Sequence, residues 1–211
     1  MLKKILDING PIMQFLLTLF DLMYLQLLTL ICCIPLITIG ASLTAMHRVC
    51  YKLVQQESAG ITREFFYGFK TNFKSATPIG LLYLIFLLFL LINNYIVYVR
   101  NFTFTNPLTF LLPIIDLFYI ASSIWIFIIS FRYNNSFFQS ICLSFKFFVF
   151  TPLQTLLMAL LAFLPAIAGI FYESILPVCL LLGLSLPAYI SALIYSPILK
   201  HIEEISYASK T

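Results

Sequence analysis

Four polar residues inside long apolar segments are the ones whose side chains could do chemistry in this chain. Asp21 and Asp116 are acids, and Asn93 and Asn94 are amides. A charge at membrane depth costs at least about 2.5–3.5 kcal/mol, so an acid there needs a partner or a water-filled cavity. These four residues are therefore candidates for an intramembrane polar site, either for a cation or proton or for a polar contact between helices.

Each of these residues also has a simpler interpretation. Asp21 would be wetted by the interface if it lies near the outer end of its helix. Asn93 and Asn94 would join helices by hydrogen bonds, as would Gln14, Gln26 and Gln154. Because no basic residue lies in the core of an apolar block, a buried Asp116 would need neutral hydrogen-bonding partners. The sequence alone leaves both interpretations open.

No other residues combine into a recognisable active site. The only histidines are His47 and His201, and no His, Cys, Asp and Glu set follows metal-ligand spacing. The five cysteines lack C-x-x-C spacing, and nucleotide-binding and nucleophile motifs are absent. We therefore expect no catalytic residues, no metal site, no cofactor and no enzymatic activity. A convergence of His47, Arg48, Glu57 and Glu64 in one cleft would argue for an enzyme.

The elements that carry these residues are five long apolar blocks. Hydrophobic residues make up 62% of the 211 positions, and charged residues make up only 9%. A hydrocarbon core about 30 Å thick takes about 20 helical residues to cross, and every backbone polar group must be paired inside it. The pattern predicts an all-α polytopic transmembrane bundle, in one domain over residues 1–211. Its five predicted spans cover residues 12–39, 78–99, 108–131, 147–171 and 175–199.

Two short segments between the blocks are amphipathic. The first has phenylalanines at helical spacing on one side, namely Phe65, Phe66, Phe69 and Phe73, and its other side carries Glu64, Lys70, Thr71 and Lys74. The second carries Phe137, Phe138, Phe145 and Lys146. Aromatic and basic residues in this pattern are typical of helices at the headgroup boundary. We predict cytoplasmic helices that either anchor at the membrane surface or bind a partner helix.

The same segments mark a candidate internal repeat. Phe65-Phe66, Phe73-Lys74 and Thr77-Pro78 open the second block, and Phe137-Phe138, Phe145-Lys146 and Thr151-Pro152 open the fourth. Phenylalanine is abundant in this chain, so chance matching is the alternative. Duplication predicts two parallel units, residues 12–99 and 108–171, followed by a final helix at 175–199.

Lysine and arginine set the orientation, because they are enriched in cytoplasmic loops. With five spans, one side holds Arg48, Lys52, Arg63, Lys70, Lys74, Arg132, Lys146, Lys200 and Lys210, and the other holds Lys3, Lys4 and Arg100. This predicts an external N-terminus and a cytoplasmic C-terminus. In an alternative topology the first block is re-entrant and four spans remain, which moves Lys3 and Lys4 to the cytoplasm. The C-terminus is cytoplasmic in both topologies.

Two motifs carry a family resemblance. Ile34-Pro-Leu-Ile-Thr-Ile-Gly-Ala41 ends the first block, and Phe65-Phe66-Tyr-Gly-Phe-Lys-Thr-Asn-Phe-Lys-Ser-Ala-Thr77 forms the first amphipathic segment. These segments resemble the YesL family, a bacterial integral membrane family of unknown function. The residues that carry the resemblance are Pro35, Thr38, Gly40, Phe65, Phe66, Phe69, Lys70, Phe73 and Lys74. The chain departs from the family in the first helix, where Gln26 and Thr29 replace Asn and Trp.

The resemblance implies a multi-pass protein of the bacterial plasma membrane with no established activity. Genes of the family commonly lie beside permeases of carbohydrate ABC importers and sugar-responsive regulators. We therefore predict a non-enzymatic accessory or interaction partner of carbohydrate ABC uptake systems. The alternative is a small secondary transporter or channel that uses Asp116, either alone or as a dimer. The expected partners are the lipid bilayer, ABC transporter subunits and a second copy of the chain. Nucleic acid is not expected, because no basic run is present.

Overall fold

The computed structural model describes residues 11–57, 60–99, 107–133, 137–171 and 176–208. Every regular element within these residues is helical, which confirms the predicted class. The α-helices are α1 (Pro11–Cys33), α2 (Ile39–Val54), α3 (Ile61–Val99), α4 (Pro107–Arg132), α5 (Phe137–Phe150), α6 (Pro152–Phe171), α7 (Leu176–Leu182) and α8 (Ser185–Ala208). A short 3-10 helix at Leu36–Thr38 precedes α2. The predictions for Lys3, Lys4, Arg100 and Lys210 concern residues outside the described ranges.

The predicted number of membrane spans can be compared with the helices in the part of the chain that the structure describes. Two segments there are long and apolar enough to cross a membrane, Ile12–Cys33 in α1 and Ile61–Val97 in α3. Helices α5 and α6 are bent by 105° at Thr151 and make a third span if the pair counts as one. Two to three apolar helices indicate a membrane protein, but the count of five spans is not confirmed.

Three predicted blocks contain breaks that hydropathy does not reveal. Residues 12–39 are α-helical only as far as Cys33, because Pro35 is extended, with φ −75° and ψ 117°. Residues 147–171 begin as the last turn of α5 and change direction at Pro152. Residues 175–199 are divided between α7 and α8 at Gly183. The apolar composition is similar on both sides of each break, so composition alone could not indicate them.

The second predicted block is not a separate helix. Helix α3 continues for 39 residues from Ile61 to Val99 and includes Pro78. The amphipathic segment and the apolar block therefore form one helix about 58 Å long. Residues 78–97 are enough to cross a hydrocarbon core, so we expect the half of α3 before Pro78, about 25 Å long, to project from it. The Thr77-Pro78 motif thus lies within a helix, whereas Thr151-Pro152 lies at a bend; the duplication itself stays a prediction.

Helices α2 and α3 form a hairpin along this projecting half, which we call the α2–α3 hairpin (residues 39–80). At its base, a Cβ atom on Gly40 would overlap the carbonyl oxygen of Ala76, and one on Gly80 would overlap the backbone of Gly40. Farther along, Gly68 faces the side chain of Arg48 and, at a longer distance, Ala45. Small residues at such positions let two helix backbones approach closely. The hairpin is therefore fixed at its base by backbone contact.

The main hydrophobic core centres on α2, although the sequence around it is the most polar part of the chain. Val49, Cys50 and Tyr51 are buried and pack with Leu25 of α1 and Tyr195 of α8. The rings of Tyr51 and Tyr195 stack with centroids 6.1 Å apart. Helix α2 also packs on α4. Its buried side thus joins the hairpin to the rest of the molecule.

Candidate functional site

Two of the predicted intramembrane polar residues form a direct contact between helices. Asn94 Nδ2 on α3 donates to Asp116 Oδ2 on α4 at 3.0 Å, and also to its own helix at Leu90 O at 3.1 Å. Asn93 donates only within α3, to Phe89 O at 2.7 Å. Asp116 therefore has a neutral amide partner, and this contact ties α3 to α4.

Asp21 lies in a different helix interface. It is partly buried on α1, which packs mainly on α2, α7 and α8. Asp116 is on α4, which packs on α2, α3, α5 and α6. The four candidate polar residues are thus not one cluster, because Asp21 is separated from the α3–α4 contact.

An open groove lies next to the Asn94–Asp116 contact, between α3, α4 and α5. It has a volume of about 500 Å³ and is lined by Leu82, Tyr83, Ile85, Phe86, Phe89, Ile115, Phe118, Tyr119, Ser122, Ile141 and Phe145. We call it the aromatic groove. The Tyr119 hydroxyl donates to Tyr83 O at 3.0 Å, and the Ser122 hydroxyl donates to Tyr119 O at 3.0 Å. Its walls are therefore apolar, since their hydroxyls bond within the protein.

Three charged residues meet at the outer end of the α2–α3 hairpin. The carboxylate of Glu64 accepts from Lys52 Nζ at 2.9 Å through Oε1, and its Oε2 lies 3.5 Å from Arg48 Nε. Arg48 also lies over the ring of Tyr67, with Cζ 4.7 Å from the ring centroid. Glu64 is buried, so losing either cation would leave its charge less well compensated. This cluster ties the ends of α2 and α3 together.

The other two residues of the conceivable enzyme cluster lie elsewhere. His47 packs against Tyr195, with ring centroids 6.4 Å apart, and its carbonyl accepts a hydrogen bond from the Tyr195 hydroxyl at 3.2 Å. Burial lowers the pKa of the His47 imidazole to about 4, so the ring is neutral at neutral pH. Glu57 is exposed. The four residues therefore do not converge into an acid–base set.

The described thiols and potential metal ligands are dispersed. No three His, Cys, Asp or Glu residues within the described ranges are placed to hold a metal ion. All five cysteines are free thiols. Cys50 is completely buried, and burial raises the pKa of its thiol. That thiol is therefore unreactive, because the thiolate is the nucleophilic form.

The projecting half of α3 carries aromatic residues on its outward side. Phe66 is 47% exposed and Tyr67 is 58% exposed. Phe73 and Lys70 are exposed on the same side of the helix. We call these four residues the aromatic face. Phe69 is partly buried and stacks on Phe65, with centroids 6.3 Å apart.

This arrangement differs from the predicted division into an apolar and a polar side. Phe65 and Glu64 are both buried, because α2 covers the side of α3 that carries them. Phe66 and Phe73 instead share the exposed side with Lys70 and Lys74. The sequence could not show which side α2 covers, since phenylalanines occur on both.

The motif residues between α1 and α2 form the turn at the base of the hairpin. The single hydroxyl hydrogen of Thr38 is shared between Cys32 O at 2.5 Å and Pro35 O at 2.7 Å. The Cys32 carbonyl is one of those that the end of α1 leaves without a helical partner. Gly40 follows at the contact with Gly80. Pro35, Thr38 and Gly40 therefore fix where α1 ends and how α2 starts.

The predicted interface helix α5 lies at a steep angle to α6. Phe138 and Lys146 on it are exposed, and Phe145 lines the aromatic groove. Phe137 begins α5, and its side chain lies outside what the structure describes. Trp125 of α4 contacts both helices at the bend. Its Nε1 donates to Thr155 Oγ1 of α6 at 2.8 Å, and its ring stacks on that of Phe147 of α5, with centroids 4.7 Å apart. Sequence reasoning missed this contact, which joins residues far apart in the chain.

The side chain of Gln26 on α1 accepts hydrogen bonds from the start of α8. Its Oε1 accepts from the backbone N–H groups of Leu184 at 3.1 Å and Ser185 at 2.8 Å. The first N–H groups of a helix have no partner within the helix. The buried Gln26 therefore caps α8 from α1. This agrees with the prediction that glutamine joins helices, although the sequence did not identify α8 as its partner.

Part of the chain, from α1 to α3, matches a known protein family. Residues 22–94 match the model of a family described as "Protein of unknown function, DUF624". They extend from Leu22 in α1 to Asn94 in α3, and so include the α2–α3 hairpin, the ion-pair cluster and the aromatic face. No curated protein and no solved structure matches the chain. The YesL proteins are a DUF624 family, so this match over residues 22–94 is consistent with the resemblance.

Proposed function

We propose that this chain is a non-enzymatic accessory protein of the bacterial plasma membrane that binds another membrane protein through the aromatic face. The observation that carries the proposal is the position of Phe66 and Tyr67. Both are exposed on the half of α3 that precedes the residues needed to cross the membrane. Aromatic side chains dominate the binding energy of many protein interfaces, and covering them removes apolar surface from water.

The aromatic face is supported by buried residues behind it. The Phe66 ring packs edge-on against buried Phe65, with centroids 5.8 Å apart. Tyr67 lies under the guanidinium of Arg48, which is itself paired with Glu64. Side chains fixed before association lose little conformational entropy on binding, so this surface is suited to a partner. Lys70 adds a positive charge, which favours a partner surface with acidic groups at its edge.

The proposed partner is a subunit of a carbohydrate ABC importer. The YesL resemblance supports this choice, because genes of that family commonly lie beside such importers. A cytoplasmic position of the hairpin is supported by the clustering of cations. Arg132 of α4 lies with Cζ 5.2 Å from the ring centroid of Tyr51, which is next to Lys52 in α2. Cations from two different inter-block segments thus lie at one end of the bundle, as the positive-inside rule expects of a cytoplasmic end.

The alternative function, a small transporter or channel that uses Asp116, has less support. Asp116 bonds to Asn94 within one helix pair, and Asp21 lies in a different helix interface. The nearby aromatic groove has apolar walls whose hydroxyls bond within the protein. A path for a hydrophilic substrate would need polar lining groups that are free to bind it.

The proposal is tested by affinity purification from the host's own membranes. The tagged wild-type protein and its F66A/Y67A variant are extracted in mild detergent and compared by quantitative mass spectrometry. We expect the wild type to enrich an ABC permease, its ATPase or a sugar-binding lipoprotein, and the variant to lose this enrichment. The L88A/L91A variant is the matched control, because it truncates two exposed apolar side chains in the membrane half of α3.

Two results would contradict the proposal. Equal enrichment by the wild type and F66A/Y67A would exclude the aromatic face as the binding surface. A wild-type protein that is purified alone, or only with copies of itself, would count against an accessory function. The thermal midpoints of the variants are measured alongside, so that a loss of binding is not confused with a loss of folding.

A further inference from the structure

The two segments that are apolar enough to cross a membrane lie end to end in the structure rather than side by side. Helix α1 leads into the base of the α2–α3 hairpin, where Gly40 meets Gly80. Nearer the middle of α1, the hydroxyls of Tyr24 and Thr62 form a hydrogen bond at 2.9 Å. Thr62 is the second residue of α3 and lies about 24 Å before Pro78 along the helix. Helix α1 therefore extends beside the first half of α3, away from the half after Pro78.

Two further contacts of α1 are at the same level. Leu25 is buried in the same hydrophobic cluster as Tyr51, which lies in the outer part of α2. Gln26 accepts from the backbone N–H of Ser185 at 2.8 Å, and the carbonyl oxygen of Ser185 lies 4.0 Å from Cys50 Sγ. Cys50 is about 15 Å along α2 from the base of the hairpin. The position of α1 thus rests on contacts with three helices.

The two levels differ in their charges. Residues 78–97 of α3 include no charged residue. Asp116 of α4, which packs beside them, is hydrogen-bonded to Asn94. The level of α1 instead includes the ion-pair cluster and an exposed lysine of the aromatic face. Its charged residues on α2 and α3 include Arg48, Lys52, Glu64 and Lys70.

One hydrocarbon core cannot contain both segments. Residues 12–33 are about 33 Å long and residues 78–97 about 30 Å, so end to end they extend over about 60 Å, twice the thickness of the core. A bilayer around α1 would place the charged residues in hydrocarbon and leave the exposed apolar residues of the second half of α3 in water. A bilayer around residues 78–97 avoids both costs and leaves the exposed apolar side of α1 outside lipid.

We propose that α1 does not cross the membrane and lies instead on the same side of it as the α2–α3 hairpin. Its first residue, Pro11, is then far from the bilayer. Lys3 and Lys4 precede it in the sequence and would be on the side that carries most of the other cations, as the positive-inside rule favours. The proposal requires that α3 crosses, but it does not depend on the identity of a partner or on binding by the aromatic face.

Cross-linking in membranes tests whether α1 lies beside the first half of α3. Tyr24→Cys is combined with either Thr62→Cys or Leu88→Cys in the full chain, with the native cysteines replaced by alanine. A short bismaleimide is added, and linked peptides are identified by mass spectrometry. We expect a link in Y24C/T62C and none in Y24C/L88C. Leu88 is an exposed residue in the second half of α3, which a crossing α1 would lie beside. The reverse pattern would overturn the proposal.

Labelling with a membrane-impermeant maleimide tests whether α1 is outside lipid. Phe20 is 65% exposed and lies about 12 Å from Ile12 along α1, so a crossing α1 would place it inside the hydrocarbon core. We expect Phe20→Cys to be labelled from the same side as Lys70→Cys, and the matched control Leu88→Cys to be labelled from neither side. The thermal midpoints of the variants are compared first, so that only folded proteins are scored. Phe20→Cys that is labelled from neither side, or from the side opposite to Lys70→Cys, would contradict the proposal.

Discussion

At the residue scale, Gly40 and Gly80 determine how closely α2 and α3 approach. Each lacks a Cβ at a point where the backbone of the other helix occupies the space. Gly80→Val should therefore destabilise the protein by at least about 1–3 kcal/mol, because backbone atoms cannot move aside as a flexible side chain does. The measurement is the thermal midpoint in detergent. Leu81→Val is the matched control, since it places the same side chain at the next, exposed position. Equal midpoints for the two variants would contradict the close crossing.

His47 should make the stability of the protein depend on pH. Its pKa is lowered from 6.5 to about 4 by burial, so the unfolded chain binds a proton more readily than the folded protein does. The contribution of His47 is complete above about pH 6.5 and is lost as the pH falls from 6.5 towards 4, by up to about 3 kcal/mol.

The comparison of wild type with His47→Gln isolates this contribution, because the other titrating groups are common to both. We expect the thermal midpoint of the wild type to fall more steeply between pH 7 and 4.5 than that of the variant. The same pH dependence in both proteins would mean that His47 is not buried in its neutral form.

The individual polar residues could be selected from the sequence, but most of their partners could not. Asp116 was expected to need neutral partners, and Asn94 was among the candidates. Asn94 and Asp116 pair because α3 and α4 are neighbours in the fold. A single sequence does not show which helices are neighbours. The pairing of Glu64 with Arg48 and Lys52 likewise depends on how α2 folds back. Local sequence thus indicates which groups need partners, while the packing of helices determines which partners they have.

At the element scale, helix type and length follow from apolar runs, whereas helix direction does not. The block predicted at residues 108–131 corresponds to α4, Pro107–Arg132. The block at residues 147–171 instead contains the bend between α5 and α6. Proline at the first position of a helix is favourable because its missing N–H is not needed there. Pro152 therefore permits a new helix to start, and the Trp125–Thr155 hydrogen bond fixes the direction in which it starts.

In α3 a helix start was predicted at a proline where the helix in fact continues. Pro78 was expected to start a helix, yet α3 continues through it. A proline inside a membrane helix is tolerated when local adjustments and neighbouring groups satisfy the freed carbonyl. The two Thr-Pro motifs are therefore alike in sequence but not in structure. Which outcome occurs depends on contacts with other helices, and α2 packs along α3 on both sides of Pro78 through Ala76 and Gly80.

At the scale of the whole molecule, the length of α3 leads to a prediction about topology. Lys70 and Tyr95 are both exposed and lie about 37 Å apart along the helix, which exceeds the thickness of the hydrocarbon core. They should therefore lie on opposite sides of the membrane. The cations near Lys70 predict that its side is the cytoplasm. Arg132 at the end of α4 and Tyr195 of α8 both contact Tyr51 of α2, which is next to Lys52.

The measurement uses Lys70→Cys and Tyr95→Cys, each in a background whose native cysteines are replaced by alanine, with a membrane-impermeant maleimide. Lys70→Cys should be labelled in inverted vesicles and Tyr95→Cys in spheroplasts. Labelling of both from one side would mean that α3 does not cross, and nothing would then keep α1 out of the bilayer. Labelling on the exchanged sides would keep the crossing but place the hairpin outside the cell, where it could not meet a cytoplasmic ATPase. One experiment thus tests the physical assumption that both proposals share, and its two contrary outcomes affect them differently.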